Sequence, residues 1–157
     1  FSQQQTFQNG LVLTPAGLQP DGGGTTLDLN RSIIYRPTFQ SYGEILDDPL
    51  ISSNILTLDL SKAQVFTVTL NSQINTLNII NTPDAGTSAS NKRTSGFTLT
   101  TNQSTNFTIN WASAGIKWAG GITPTLSLGQ KIDVFSFVTY NKGSSWLGFV
   151  GGQGYLA

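Results

Sequence analysis

No cysteine, histidine or methionine occurs among the 157 residues of this chain. Without cysteine there is no disulfide framework, no thiolate metal site and no thiol nucleophile. Without histidine the Ser-His-Asp and Cys-His systems are excluded, as are imidazole-ligated metals. Charge is scarce as well. Eight basic and eight acidic residues cancel, and together they make up 10% of the chain, where about 25% is usual. Beyond Lys92-Arg93 there is no basic run, so the electrostatic footprint of a nucleic-acid binder is missing and no nucleic acid is expected as a partner. No apolar run approaches the ~20 residues of a membrane-crossing helix, so membrane insertion is not expected. No cofactor is expected either. The polar N-terminus FSQQQTF lacks the shape of a signal peptide, and the absent initiator Met is read as processing or as a longer parent chain.

What fills the gap is uncharged polarity: 20 Thr, 16 Ser, 12 Asn and 11 Gln. Thr suits exposed strand faces, and Ser and Asn suit turns. The residues that favour helices are sparse. The composition therefore predicts an all-β protein.

The pattern along the chain agrees. Residues 1–53 are broken by Pro15, Pro20, Pro37, Pro49 and a Gly22–Gly24 run, with short strands expected at Leu11–Thr14 and Thr25–Asn30. They read as an extended N-terminal arm or junction. The Gly run has no P-loop lysine and reads as a joint. From Asn54 onward strict alternation begins, the mark of strands with one buried face. Leu56, Leu58 and Leu60 share one face; Phe66, Val68 and Leu70 another; Leu77 and Ile79 a third; Phe97 and Leu99 a fourth. Phe107, Ile109 and Trp111 read as a further strand, and Ile116–Trp118 and Thr125–Leu128 as short ones. Lys131–Tyr140 is apolar on both faces, and Asn141–Ser144 reads as the turn of a hairpin closing on Ser145–Gly151. Short strands at this spacing predict an antiparallel β-sandwich or jelly-roll-like domain over 54–157, with an extended N-terminal arm over 1–53.

Four blocks also occur in a telling order: LTLDLSKAQVFTVTL (Leu56–Leu70), GFTLT (Gly96–Thr100), INWASAGIKWAGGITPTLS (Ile109–Ser127) and KIDVFSFVTYNKGSSWLGFVGGQGY (Lys131–Tyr155). Over about 100 residues this resembles a β-domain of bacteriophage tail fibres and related virion appendages, marine and cyanobacterial phages in particular. The resemblance implies a non-enzymatic structural or receptor-binding module, assembled as a homotrimer and located in the virion, at the particle surface or tail. The partners it implies are copies of itself, other virion proteins and host surface polysaccharide. Two competing functions are a carbohydrate-binding β-sandwich module and a polysaccharide-degrading tailspike fragment.

Candidate site residues follow from the chemistry. No catalytic residue and no metal ligand is assigned. Glu44, Asp47 and Asp48 cluster, and a glycosidase needs two carboxylates, but Asp-Asp before Pro reads first as a solvated turn. Hard-oxygen ligation of Ca²⁺ is the other competing reading. Asp59 with Ser61 reads as a turn anchor. Asp133 shares its face with Phe135 and Phe137 and is expected to pair with Lys117 or Lys131. Trp111 and Trp146 read as core. Trp118, beside a Gly-Gly turn, and Tyr155 are the candidate sugar-stacking residues. Phe135 and Phe137 are the candidate oligomer interface, because one strand apolar on both sides needs a cover for each.

Overall fold

The structure is a computed structural model that describes residues 43–83 and 94–156. Expectations on the remaining residues lie outside it: the strands at Leu11–Thr14 and Thr25–Asn30, the Gly22–Gly24 run, Lys92-Arg93 and most of the arm.

Among the described residues the chain is all-β. Eight strands run in the order β1 (Leu46–Asp47), β2 (Ile55–Asp59), β3 (Val65–Leu70), β4 (Thr76–Ile80), β5 (Ser95–Gln103), β6 (Ile116–Trp118), β7 (Ile132–Thr139) and β8 (Trp146–Tyr155). The helical elements here are two 3-10 turns, Trp111–Ala114 and Ala119–Gly121. The strands form a six-stranded sheet ordered β1-β3-β5-β7-β8-β6 and a two-stranded sheet of β2 and β4.

Strand direction corrects the antiparallel expectation. Only β5–β7 and β7–β8 are antiparallel; β1–β3, β3–β5, β2–β4 and β6–β8 are parallel. The cause is the route of the chain. From β1 to β5 it alternates between the two sheets, so each strand reaches its neighbour only after crossing to the other sheet and back, and arrives in the same direction. Parallel neighbours always need such a crossover: for β1–β3, β3–β5 and β2–β4 it holds a strand of the other sheet, and for β6–β8 it holds β7 of the same sheet. This winding departs from a jelly roll, which is built from antiparallel strands. The sheet also begins earlier than expected: β1 pairs with β3, which brings Leu46 and Asp47 into the sheet from the arm side of residue 53.

Side-chain alternation fixes what each sheet buries. Leu56 and Leu58 from β2, Leu77 from β4, and Phe66, Val68, Phe97, Leu99, Phe135 and Phe137 from the larger sheet belong to one apolar cluster. At its centre the aromatic rings touch: Phe97 stacks on Phe137 with centroids 4.7 Å apart, and Trp146 meets Phe97 edge-on at 5.0 Å. Aromatic pairs of this kind add about 0.5–1.5 kcal/mol beyond area burial.

The turns are held by local side chains. Asp59 ends β2 and accepts bonds from Ser61 N–H (3.0 Å), Ser61 Oγ–H (2.7 Å) and Asn81 Nδ2 (2.8 Å), the anchoring role expected of it. Those bonds, Asn81 first, then the Ser61 hydroxyl and amide, hold its carboxyl below the usual aspartate range. In the β7–β8 hairpin, Asn141 Oδ1 accepts from Thr139 Oγ1 (2.9 Å) and Ser145 N–H (3.0 Å). Thr139 Oγ1 in turn accepts from Gly143 N–H at 3.0 Å. Gly143 carries φ +83° and packs on Thr82, a position that tolerates no side chain.

Two segments depart from the expected strands. Past the isolated bridge of Ile109 to Ile74, the chain turns at Trp111 into the first 3-10 turn. Residues 122–131 have no strand, and Thr125–Leu128 runs irregularly beside β7 and β8.

Candidate functional site

The expected sugar-stacking pair is not assembled. Trp118 ends β6, parallel to β8, in register with Gly148. Its indole lies over that glycine, packs edge-on against Trp111 at 5.3 Å, and reaches Phe135 and Phe137 at 5.8 Å each. It is half-buried, packed against the edge of the core. Its Nε1–H is buried without a hydrogen-bond partner. Tyr155 remains 53% exposed, at the far end of β8, with its phenol against Gly152. Gly148 and Tyr155 pair with Phe137 and Ile132 of β7, five residues or about 17 Å apart along that strand.

Gly148 explains how the sheet edge accepts the Trp118 ring. A Cβ there would stand 2.8 Å from the indole, and β6 and β7 both pair with Gly148, so the backbone has little room to give. Gly148→Ala is expected to cost about 1–3 kcal/mol, read as a lower urea midpoint at unchanged m-value. An unchanged midpoint would show that the ring moves freely.

Phe135 and Phe137 are core residues, with 0% and 1% exposure. They lie on the inward face of their strand, and its outward face is the one left open. Alternation sends Asp133, Phe135, Phe137 and Thr139 inward, and Val134, Ser136, Val138 and Tyr140 outward. On β8, Leu147 faces outward opposite Val138, and Phe149 opposite Ser136. These side chains are open to solvent: Phe149 is 52% exposed and Val138 and Leu147 36% each. The outward positions of β7 and β8 from Val134 to Phe149 hold no charged residue. Lys117, the register partner of Leu147 on β6, stands at the rim.

Asp133 is 1% exposed, yet its expected lysine partner is replaced by backbone. Its oxygens accept from Ser127 N–H (2.6 Å), Gly154 N–H (2.9 Å) and Gln153 Nε2 (3.4 Å). A carboxylate can be buried when several N–H groups converge on it. Here it ties residues 125–127 and the end of β8 to β7.

Of the three clustered carboxylates, Glu44 and Asp48 are exposed and Asp47 sits in β1 opposite Phe66. A cleft of about 320 Å³ is lined by Asp48, Pro49, Leu50, Ile51, Thr67, Thr69 and Asn71. Asp48 is its single carboxylate, where glycoside hydrolysis uses a facing pair. Among the described residues no three Asp, Glu, His or Cys side chains gather as a metal site, and no helix is long and apolar enough to cross a membrane.

Comparison of the chain with protein-family models, with curated proteins and with solved structures gives no match.

Proposed function

We propose that this chain is a non-enzymatic structural or receptor-binding module of a phage virion appendage, acting as one subunit of a homotrimer. The two sheets, which feed one apolar cluster, form a two-layer β-sandwich in this reading. The order of the four sequence blocks from Leu56 to Tyr155 supports the appendage assignment. The observation that carries self-association is the outward face of β7 and β8. An antiparallel hairpin at a water-facing surface is expected to be polar there, yet this one shows Val138, Leu147 and Phe149, with Tyr140 next to them. A copy of the same chain suits such a face. Residues near a symmetry axis meet their own kind, and the outward positions of β7 and β8 meet their copies without like-charge repulsion, the nearest strand charge being Lys117 at the rim.

The test is the mass in solution together with one surface variant. The wild type is expected to run at three times the chain mass at micromolar concentration. Leu147→Lys with Phe149→Lys is expected to stay folded, because neither side chain enters the core, and to run as a monomer. A wild type that is monomeric at micromolar concentration overturns this reading.

A further inference from the structure

We propose that the cleft beside the unpaired end of β3 takes up an extended peptide segment of a partner protein, which joins the sheet as a short added strand. β1 is the marginal strand of the six-stranded sheet and meets β3 only at Val65 and Phe66. Val65 N–H donates to Ile45 C=O at 3.3 Å, toward the β1 side. Backbone groups alternate in direction along a strand, so Thr67 and Thr69 aim theirs the same way, away from β5. With Asp47 paired to Phe66, the Thr67 carbonyl calls for an N–H at position 49, and that residue is Pro49. The pairing of β1 stops there.

Three backbone groups follow in a row on this edge: the C=O of Thr67, then the N–H and C=O of Thr69. Among the described residues none of them has a hydrogen-bond partner. Two other strand margins are partly met by local groups. Leu77 N–H of β4 donates to Ser113 Oγ at 2.8 Å, and Ile55 of β2 exchanges two backbone bonds with Ser52. An unmet edge is a template for another chain. Acceptor, donor, acceptor is answered by donor, acceptor, donor, which extended backbone supplies at the same spacing. The room for it is the cleft of about 320 Å³ between Thr67 and Thr69 and the departing segment 48–51, within the size range of ligand sites.

The lining also selects the side chains of the guest. Its central residue stands opposite Val68 and points inward with it, on the side where Ile51 packs against the core, so it is apolar. Leu50, 90% exposed, adds apolar surface that a guest strand covers. The residue before the central one stands opposite Thr67 and points outward. Asp48 is exposed and is the single charged residue lining the cleft, so a lysine or arginine suits that place. Main-chain bonds supply the affinity of such a strand, and the alternate side chains its specificity. The site shares no residue with the β7–β8 face and does not depend on association there.

The experiment is an NMR titration of the ¹⁵N-labelled full chain with the end-capped tetrapeptide Lys-Val-Thr-Val, whose first valine is the central residue. Millimolar peptide is expected to shift the Thr69 amide and slow its hydrogen exchange, because that N–H gains an acceptor. A peptide N-methylated at the first valine lacks the donor for the Thr67 carbonyl. It is expected to bind roughly five- to tenfold more weakly, the worth of one hydrogen bond. With Glu in place of Lys the peptide is expected to bind the wild type roughly two- to fivefold more weakly at low salt, and Asp48→Asn is expected to abolish that difference. A Thr69 amide indifferent to the peptide, equal binding of the N-methylated peptide, or no preference for Lys over Glu in the wild type would overturn the proposal. So would Thr69 exchange that slows as the free chain is concentrated, which would give the edge to a second copy. A monomeric wild type that still binds the peptide would keep this site and remove the trimer; a trimer whose Thr69 amide ignores the peptide would do the reverse.

Discussion

Phe135→Ala is expected to destabilise the folded chain by about 3–5 kcal/mol, the range for deleting a buried aromatic ring. The upper part of that range applies because the site has little means of collapsing. Phe135 is 0% exposed and sits in β7, between β5 and β8. Its ring meets Trp111 at 5.3 Å and Trp118 at 5.8 Å. Backbone pairing on both sides holds the strand in place, so the lost volume stays as a cavity. Phe149→Ala is the control, on the opposite face of the same hairpin. In a dilute monomer it should change stability by no more than ~0.5 kcal/mol. In an oligomer its effect should depend on protein concentration, because association adds to apparent stability by mass action. Urea denaturation at two concentrations reads both. Equal, concentration-independent losses for the two variants would mean that the inward and outward faces of β7 have been exchanged.

That contrast also marks where sequence reasoning succeeds. Alternation assigns side chains to faces, and the inward sets it picks out are buried: Leu56 and Leu58, Phe66 and Val68, Phe97 and Leu99. It also finds the β7–β8 hairpin, because the turn residues Asn141–Ser145 act within a few positions of one another. The double-sided apolar character of β7 was legible too. Which of its two faces meets the core was not. Phe135 and Phe137 and the outward Val134 and Val138 are all apolar, and only the position of Trp111, Trp118 and Phe97 around β7 decides between them.

Strand partners were less legible still. A period of two says nothing of direction or neighbour. The parallel register of β2 on β4, with Leu56 beside Leu77 and Leu58 beside Ile79, depends on β3 belonging to the other sheet. That is a property of the whole winding and not of any window. The unpartnered side-chain atoms at the end of β5 are hidden for a similar reason. Asn102 and Gln103 are ordinary polar residues in a chain full of them, and the fold alone leaves Asn102 Oδ1 and Gln103 Nε2 buried without partners. The packing of Trp118 was not legible because a Gly-Gly turn in sequence marks a surface bend, while the glycine that receives the indole, Gly148, lies thirty residues away on β8.

Asp133→Ala is expected to cost about 2–4 kcal/mol, through backbone amides and not through a lost ion pair. The carboxylate stands on the inward face of β7 beside Phe135 and accepts from Ser127 N–H and Gly154 N–H. Alanine leaves both donors without their acceptor. It also frees the 125–127 segment, which places Leu126 in the core at 7% exposure. Ser127 and Gly154 are themselves only half-buried, so water can answer part of the loss, which keeps the figure below that for a fully enclosed charge. Asp133→Asn keeps one accepting oxygen and turns an N–H₂ toward the other donor, so it should recover no more than part of the loss. Two further measurements separate backbone pinning from a lysine pair. Amide hydrogen exchange at Ser127 and Gly154 should quicken in Asp133→Ala, because their protection comes from that bond. Lys117→Ala and Lys131→Ala should each leave stability within about 0.5 kcal/mol of wild type. If either lysine variant instead reproduces the Asp133→Ala loss, and raising salt erases the difference as it does for exposed ion pairs, the carboxylate is held by charge and the assignment to Ser127 and Gly154 fails.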